Sequence, residues 1–272
     1  MFSVFTEVTG KTYKEKEKID MINVIMVGCN GKMGQVISDI IKNDAEAVMA
    51  AGVDVYDDGH NDYPVYSRIN QVQENADVII DFSNPASLDD ILEFAVRNQV
   101  PAVLCSTGYS GEELTKIDEA AKKVAILRSG NMSLGINTMA KVMKAVTKIL
   151  VDAGFDVEIV EKHHNQKIDA PSGTAIMLAD AVNAELNNEY EYRYDRSQVR
   201  EKRPQKEIGI SAVRGGSIVG EHEIIFAGRD EVLEFKHTAY SKAIFGKGAV
   251  QAAKFLKGQN AGMYSMKDVL GE

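Results

Sequence analysis

The stretch "INVIMVGCNGKMGQVISDIIK", residues 22–42, decides the fold. A short apolar run ends at Gly28, a glycine loop follows, and apolar residues then recur at helical spacing. Gly28, Gly31 and Gly34 form a GxxGxxG pattern, a departure from the commoner GxGxxG. A tight turn between a strand and a helix predicts backbone N–H groups that can hold a pyrophosphate at the helix N-terminus.

Further apolar strand patterns follow this stretch, and helical patterns separate them. The strand runs are "AVMAAGVD" (47–54), "ADVIIDFS" (76–83), "VPAVLCSTG" (100–108) and "VAILRSGNMS" (124–133). Alternation of strands and helices indicates a parallel sheet with helices on both faces. We therefore predict an α/β fold whose first part is a Rossmann-type, doubly wound parallel sheet.

The pattern changes after about residue 130. A long helix is predicted from residue 134 to about 151, followed by the strand "FDVEIVEKHH" and an amphipathic helix. Three strand-like runs on short joins come next, and "GRDE" (228–231) is a hairpin signal between the last two. These runs predict a second, α+β domain with a mostly antiparallel sheet, after which the last helix returns to the first domain.

Three segments follow from these patterns. Residues 21–131 with 243–272 are predicted to form a dinucleotide-binding domain, and residues 132–242 a second domain. Residues 1–20 have a charge-rich second half and no long apolar segment, so they are not a secretory signal. We expect them to be a poorly ordered extension. The alternative is a short element over residues 2–8 that docks on a partner subunit.

Composition limits the partners. The 272 residues carry a net charge of -9, which disfavours nucleic acid and anionic membranes. No apolar run approaches the roughly 20 residues needed to span a bilayer. Cys29 and Cys105 are lone thiols without a CxxC pair, which fits a reducing compartment. We expect a cytoplasmic protein that binds small molecules.

Asp54 ends the second strand, twenty residues after Gly34, where an acid can hold both ribose hydroxyls of an adenosine. A 2'-phosphate beside Asp54 would be repelled, and Val55 offers no positive charge to offset this. Lys32 lies nearer the pyrophosphate. We therefore predict that NADH is preferred or that NADH and NADPH are both accepted. The alternative is a glycine-rich turn without a ligand.

Two further turns end strands of the same sheet, "CSTG" (105–108) and "SGNMS" (129–133). The carboxyl ends of parallel strands face the ligand crevice, so these turns are expected to border the nicotinamide ring. Ordinary connecting turns without a ligand remain the alternative.

The stretch "EKHHNQKIDAPSGTA", residues 161–175, concentrates titratable groups before a helix start. A helix N-terminus at Gly173 and Thr174 can bind a carboxylate, Lys167 adds a positive charge, and His163 can supply a proton. The alternative is a solvated loop before a capped helix. Zinc binding by His163 and His164 is disfavoured, because adjacent histidines seldom share a metal and no cysteine cluster supports it. Arg214 could join the pocket or belong to the sheet.

Several motifs together resemble the 4-hydroxy-tetrahydrodipicolinate reductase (dihydrodipicolinate reductase) family. They are "VGCNGKMG", "DFSNPAS", "CSTG", "EKHHNQKIDAPSGTA", "RGGSIVGEHEIIF" and "FGKGAV", and the resemblance runs from about residue 21 to the C-terminus. It implies a substrate domain whose open sheet packs with others into a homotetramer. It also implies reduction of a cyclic imine dicarboxylate to tetrahydrodipicolinate with NADH or NADPH, in lysine and diaminopimelate biosynthesis.

The resemblance implies a role for each matched residue. His163 and Lys167 match the proton-donating pair, and His164, Gly173 and Thr174 match substrate-binding positions. The cofactor contacts that it implies are Gly28, Cys29, Asn30, Gly31, Lys32, Met33, Asp54, Cys105, Ser106, Thr107, Ser129, Gly130, Asn131 and Met132. Two positions depart from the family pattern: "CSTG" replaces the usual Gly-Thr-Thr-Gly, and Val55 replaces an arginine often found after the acid.

Two rival functions stay open at this point. One is another Rossmann dehydrogenase of amino-acid metabolism, such as an aspartate-semialdehyde or diaminopimelate dehydrogenase. The first of these needs a catalytic thiol, and neither Cys29 nor Cys105 is well placed for that role. The other rival is a nucleotide-sensing module without catalysis, which would keep the glycine loop but would not need His163 with Lys167.

Overall fold

The computed structural model describes residues 21–271, so the expectation for residues 1–20 lies outside the described residues. In chain order the elements are β1 (Ile22–Val27), α1 (Lys32–Lys42), β2 (Ala47–Val53), β3 (Val65–Tyr66), β4 (Val78–Asp81), α2 (Leu88–Asn98), β5 (Ala102–Leu104), α3 (Gly111–Ala121), β6 (Ala125–Arg128), α4 (Leu134–Asp152), β7 (Asp156–His163), α5 (Gly173–Ala184), β8 (Glu191–Tyr194), β9 (Glu207–Arg214), β10 (Gly220–Ala227), β11 (Val232–Ala239), α6 (Ala243–Leu256), β12 (Gly262–Tyr264) and α7 (Met266–Val269).

The first sheet has seven strands in the order β12-β6-β5-β4-β1-β2-β3. Every pairing in it is parallel. The chain runs outward from β1 through β2 and β3, then returns to place β4 on the other side of β1. This reversal creates a crevice at the carboxyl ends of β1 and β4, the position where doubly wound sheets bind ligands. The predicted Rossmann-type fold class is confirmed.

Helices cover both faces of this sheet, which is why its strands are apolar at nearly every position. Val24 and Met26 of β1 point to one face, where they join a core with α1 and α6. Ile25 and Val27 point to the other face and join a core with α2 and α3. Adjacent residues of one strand therefore belong to two different cores.

The second sheet has five strands in the order β11-β10-β7-β9-β8. The sheet is mixed, because β10/β7 and β10/β11 are antiparallel while β7/β9 and β8/β9 are parallel. Consecutive strands β9 and β10 are not neighbours, since β7 lies between them. The connection through helix α5 makes β8 run in the same direction as β7. Because β9 is also parallel to β7, β8 and β9 are parallel. The predicted hairpin is confirmed, with Gly228 N donating to Glu231 O at 2.9 Å.

One face of the second sheet is covered by α4 and α5. Along β7, Val157, Ile159, Glu161 and His163 are buried, and the residues between them are partly exposed. This alternation places every second side chain in the core and leaves the opposite face open. His163 and Glu161 are the two polar residues among these four, and they lie at the end of β7.

The end of the chain returns to the first sheet. β12 pairs with β6, and α6 supplies Ala249 and Val250 to the core beside α1. The domain boundaries stay a prediction. Among residues 21–271, no helix combines the length and hydropathy required to cross a membrane.

Candidate active site

The glycine loop brings the start of α1 directly against the end of β1. Gly28 has a φ of 81°, and a Cβ there would lie 2.9 Å from Phe82 O. A Cβ on Gly34 would lie 2.0 Å from Gly28 O. Gly31 precedes α1 without a side-chain cap, and the first turn has no acidic side chain. The first N–H groups of α1 are therefore open to an anion, and the loop fits a dinucleotide pyrophosphate.

Asp54 lies at the same edge, directly after β2. Its carboxylate accepts hydrogen bonds from the backbone N–H groups of Asn30 at 3.0 Å and Tyr56 at 3.2 Å. A carboxylate offers about four acceptor positions, so Asp54 can accept from ribose hydroxyls as well. Val55 is 95% exposed beside it, where a cofactor phosphate would meet no cation from this residue.

The predicted turns at residues 105–107 and 129–132 follow β5 and β6 and share this edge of the sheet. Cys29 and Met132 have side chains buried in the core, so only their backbone groups can face a ligand. Burial, with a smaller effect of the Asp54 charge, raises the pKa of Cys29 to about 11. Burial also raises the pKa of Cys105. A raised pKa disfavours the thiolate at both positions, which argues against the thiol-dependent dehydrogenase.

The sequence analysis missed Asp81, a fully buried carboxylate at the end of β4. It accepts from Ser83 N at 3.0 Å, the Ser83 hydroxyl at 2.5 Å, the Ser106 hydroxyl at 2.8 Å and the Tyr109 hydroxyl at 3.4 Å. These bonds join the turn after β4 to the turn after β5. Burial raises the pKa of Asp81, although the hydrogen bonds oppose this effect. The sequence feature that could have identified Asp81 is an acidic residue at the end of an apolar strand run.

His163 is held by a second buried carboxylate. Its Nδ1 lies 2.6 Å from Glu161 Oε2. Arg214 donates to both oxygens of Glu161, at 2.8 and 2.7 Å, and Ser172 N donates to Oε1 at 2.9 Å. Burial opposes ionisation of Glu161, but the hydrogen bonds, first from Arg214 and then from His163, hold its pKa below the ordinary value. No role was predicted for Glu161, and Arg214 was left undecided.

The start of α5 forms the next wall of the site. Ser172 caps the helix by accepting from Ala175 N at 3.1 Å, while Gly173 is exposed. Thr174 Oγ1 accepts from Asn131 Nδ2 at 2.9 Å. That bond joins the start of α5 to the turn after β6. The structure therefore brings together two parts of the predicted site that lie far apart in the chain.

His222 supports the same helix start. Its Nε2 lies 3.1 Å from the Ser172 hydroxyl, and its ring packs edge-on against His163 at 5.1 Å between centroids. Burial, and next the charge of His163, lower the pKa of His222 to about 4. Because Ser172 Oγ accepts from Ala175 N, its hydroxyl hydrogen can be donated to the neutral imidazole of His222.

Lys167 and His164 belong to the connection between β7 and α5. Lys167 Nζ pairs with Asp169 Oδ1 at 2.8 Å, and this bond lowers the pKa of Asp169. Lys167 N donates to His164 O at 3.1 Å, which closes a turn. His163 and Lys167 thus each have an acidic partner of their own. Within the described part of the chain, no group of three histidine, cysteine or acidic side chains could hold a metal ion.

A glycine loop at the reversal point of a parallel sheet and, on the second sheet, a buried histidine beside a helix N-terminus are features of dinucleotide-dependent oxidoreductases. Two family models match the chain: dihydrodipicolinate reductase, N-terminus, over residues 22–132, and dihydrodipicolinate reductase, C-terminus, over residues 135–270. The chain belongs to the dihydrodipicolinate reductase family, and the resemblance of its motifs is confirmed.

Similar proteins cover nearly the same length. The 4-hydroxy-tetrahydrodipicolinate reductase of Caldanaerobacter subterraneus subsp. tengcongensis is 50% identical over 250 residues, which are 92% of this chain and 98% of that protein. The Clostridium novyi reductase is 46% identical with coverages of 92% and 98%. The solved structure of a dipicolinate-bound dihydrodipicolinate reductase from Paenisporosarcina sp. TG-14 superimposes with a TM-score of 0.74 at 25% identity, covering 90% of this chain and 97% of that one.

The raised pKa of Asp81 predicts a specific pH dependence of stability. A folded-state pKa above the unfolded value gives stability that is complete below the unfolded pKa and is lost as pH rises through the folded pKa. Asp81→Asn keeps the shape and removes the titration. We expect the melting temperature of Asp81→Asn, relative to that of the wild type, to increase as pH rises from about 4 to 7, as measured by thermal unfolding.

Asp118→Asn, on the exposed surface of α3, is the control and should track the wild type at each pH. A constant difference between Asp81→Asn and the wild type over this range would show that Asp81 does not titrate with a raised pKa.

Proposed function

We propose that the protein reduces 4-hydroxy-tetrahydrodipicolinate to tetrahydrodipicolinate with NADH or NADPH, in lysine and diaminopimelate biosynthesis. One observation carries this proposal: the buried His163 and the N-terminus of α5 lie together and are linked through Asn131 to the cofactor edge of the first sheet. Membership of the family and the names of its relatives support the same reaction.

The proposed cofactor site lies along the carboxyl edge of the first sheet. The residues that would hold the dinucleotide are Gly28, Cys29, Asn30, Gly31, Lys32, Met33, Asp54, Cys105, Ser106, Thr107, Ser129, Gly130, Asn131 and Met132. When bound, the nicotinamide supplies the hydride. The open N–H groups of α1 bind the pyrophosphate, and the Asp54 carboxylate accepts from the ribose.

The proposed substrate site is built from the start of α5 and the preceding loop. The backbone at Gly173 and the hydroxyl of Thr174 hold one carboxylate of the substrate, where the positive end of the helix dipole favours an anion. His164 contributes a further polar contact. The dipicolinate bound by the Paenisporosarcina relative is a dicarboxylate, which supports a ligand of this class.

The proposed proton donors are His163 and Lys167. The 4-hydroxyl of the substrate is lost as water, which leaves an unsaturated ring. Hydride addition to the carbon that bore the hydroxyl then gives an electron-rich enamine that must take up a proton. Glu161 occupies Nδ1 of His163, so Nε2 is the nitrogen that can deliver it. Lys167 supplies a second cationic donor in the adjoining loop, and the two positive charges also stabilise a dianionic substrate.

Removing the imidazole tests the reaction and the donor together. We expect His163→Ala to lower kcat by about 100-fold, the usual scale for a lost general acid. The assay follows NADH oxidation with the aldol product of pyruvate and aspartate semialdehyde. His60→Ala, on the exposed surface, is the control.

Wild-type protein that binds NADH but does not oxidise it with this substrate would exclude the proposed reaction. Near-wild-type turnover of His163→Ala would remove only the role of His163.

Cofactor choice is proposed to depend on charge beside Asp54. We expect NADH to be preferred or used equally, because Asp54 repels a 2'-phosphate and Val55 cannot offset it. Val55→Arg should raise kcat/KM for NADPH relative to NADH by about tenfold, since a guanidinium can pair with the phosphate.

Val48→Arg, at the other end of β2, is the matched control for added charge. A wild-type KM for NADPH well below that for NADH would contradict this proposal.

We also propose a homotetramer that forms through the open face of the second sheet. Val213 and Val232 are 44% and 57% exposed on that face, opposite the helices. Light scattering should give about 120 kDa, four times the chain mass of 29.8 kDa. Val232→Asp should shift the mass downward, because a carboxylate would be buried without a partner. A monomeric wild type would exclude the tetramer.

A further inference from the structure

We propose that Glu161 is a positioning residue for the proton donor. Its carboxylate holds Nδ1 of His163, which leaves Nε2 as the nitrogen that can deliver a proton, and it holds that imidazole at a set distance from the N-terminus of α5. The catalytic consequence rests on the proposed reductase function, whereas the positioning itself is a property of the protein without substrate.

The two oxygens of Glu161 divide their partners evenly. Oε2 accepts from Nδ1 of His163 and from Nη1 of Arg214, at 2.6 and 2.8 Å. Oε1 accepts from Ser172 N and from Nη2 of Arg214, at 2.9 and 2.7 Å. A carboxylate has about four acceptor positions, so all of them are used. Rotation of this side chain would break several charge-assisted bonds at once, which fixes its orientation.

This arrangement determines the tautomer of His163. An ionised carboxylate only accepts hydrogen bonds, so Nδ1 of His163 must carry its hydrogen. The exchangeable proton of the imidazolium is then the one on Nε2. Gly220 lies on that side, where a Cβ would be 3.1 Å from Nε2, so the strand beside it leaves room for the ring. Glu161 therefore directs proton delivery through Nε2.

The same carboxylate holds the anion-binding end of α5. Ser172, whose N–H it binds, immediately precedes Gly173 and Thr174, the residues proposed to hold a substrate carboxylate. Arg214 extends the network to the second donor, because its Nη2 also donates to Asp169 O at 2.5 Å and Asp169 pairs with Lys167. One side chain thus sets the separation between proton donor and anion site.

A buried ion pair by itself does not indicate a catalytic role, since Glu207 forms one with Arg196. What distinguishes Glu161 is its contact with both His163 and Ser172. Apolar residues of similar volume usually stabilise a core as well as a buried ion pair does, because the pair must be removed from water. Glu161 is fully buried, and Arg214 is largely covered. A buried carboxylate that contacts His163 and Ser172 at once is explained when both contacts serve the reaction.

Glu161→Gln tests the proposal because an amide has one acceptor and one donor side. The backbone N–H of Ser172 can only donate a hydrogen bond, so it needs the amide oxygen. Neutral His163 can instead accept at Nδ1 by changing tautomer, so the amide nitrogen will face His163. Arg214 Nη1 keeps an acceptor in Val213 O at 2.8 Å. We expect His163 to switch to the Nε2–H tautomer, observed by nitrogen-15 imidazole NMR at about pH 9, where histidines are neutral.

A double-mutant cycle measures the coupling. Glu161→Gln should lower kcat by about 100-fold. In the background of His163→Ala it should lower kcat by less than about twofold, since residues that act through one another are not additive. Glu207→Gln, a buried and arginine-paired glutamate of the same sheet, is the matched control and should leave kcat and the tautomer unchanged.

The affinity for NADH, from its fluorescence, reports whether each variant is folded and should change by less than about twofold. If Glu161→Gln does not bind NADH, the neutral pair Glu161→Gln with Arg214→Met replaces it in both measurements. Equal losses of kcat from Glu161→Gln in the two backgrounds, or an Nε2–H tautomer in the wild type, would overturn the proposal. The NMR measurement of the His163 tautomer needs no turnover. An inactive wild type would therefore exclude the reductase function without deciding whether Glu161 positions His163.

Discussion

The arrangement at the end of β7 depends on one buried charge, the carboxylate of Glu161. A carboxylate removed from water needs hydrogen-bond donors at each of its acceptor positions, or it is strongly destabilising. Strand β9 provides Arg214, β7 provides His163, and the loop before α5 provides the N–H of Ser172. Satisfying this one group therefore brings two strands and a helix end into a single arrangement.

The first sheet contains a second buried carboxylate, whose pKa is shifted in the opposite direction. Asp81 is also fully buried, but its donors are one backbone N–H and three hydroxyl groups, all neutral. Burial then prevails and raises the pKa of Asp81, whereas hydrogen bonds from the cation of Arg214 prevail at Glu161 and lower its pKa. Charge-assisted bonds are stronger than neutral ones, which accounts for the difference.

Asn131 connects the first sheet to the helix start that packs on the second sheet. Its side-chain N–H donates to Thr174 across the gap between the sheets, and its side-chain oxygen accepts from Ser133 N at 2.8 Å. Ser133 caps α4, the long helix that covers the second sheet. The turn after β6, the start of α4 and the start of α5 thus share one amide side chain. The proposed hydride donor and proton donor need this kind of common reference, because both must act on one substrate ring.

The amino-acid sequence by itself determined the features that depend on neighbours in the chain. The spacing of Gly28, Gly31 and Gly34, the apolar strand runs and the Pro-Ser-Gly-Thr helix start predicted the parallel sheet, the anion-binding turn and the grouping of residues 161–175. Only the tertiary structure decided which distant residues meet. Arg214 is 53 positions from Glu161, and Ser106 is 25 from Asp81. Strand order decides such pairs, and β7 lies between β9 and β10. The short, largely exposed β8 has no apolar pattern that would predict a strand. Local periodicity records which face of a strand is buried, but not which strand becomes its neighbour.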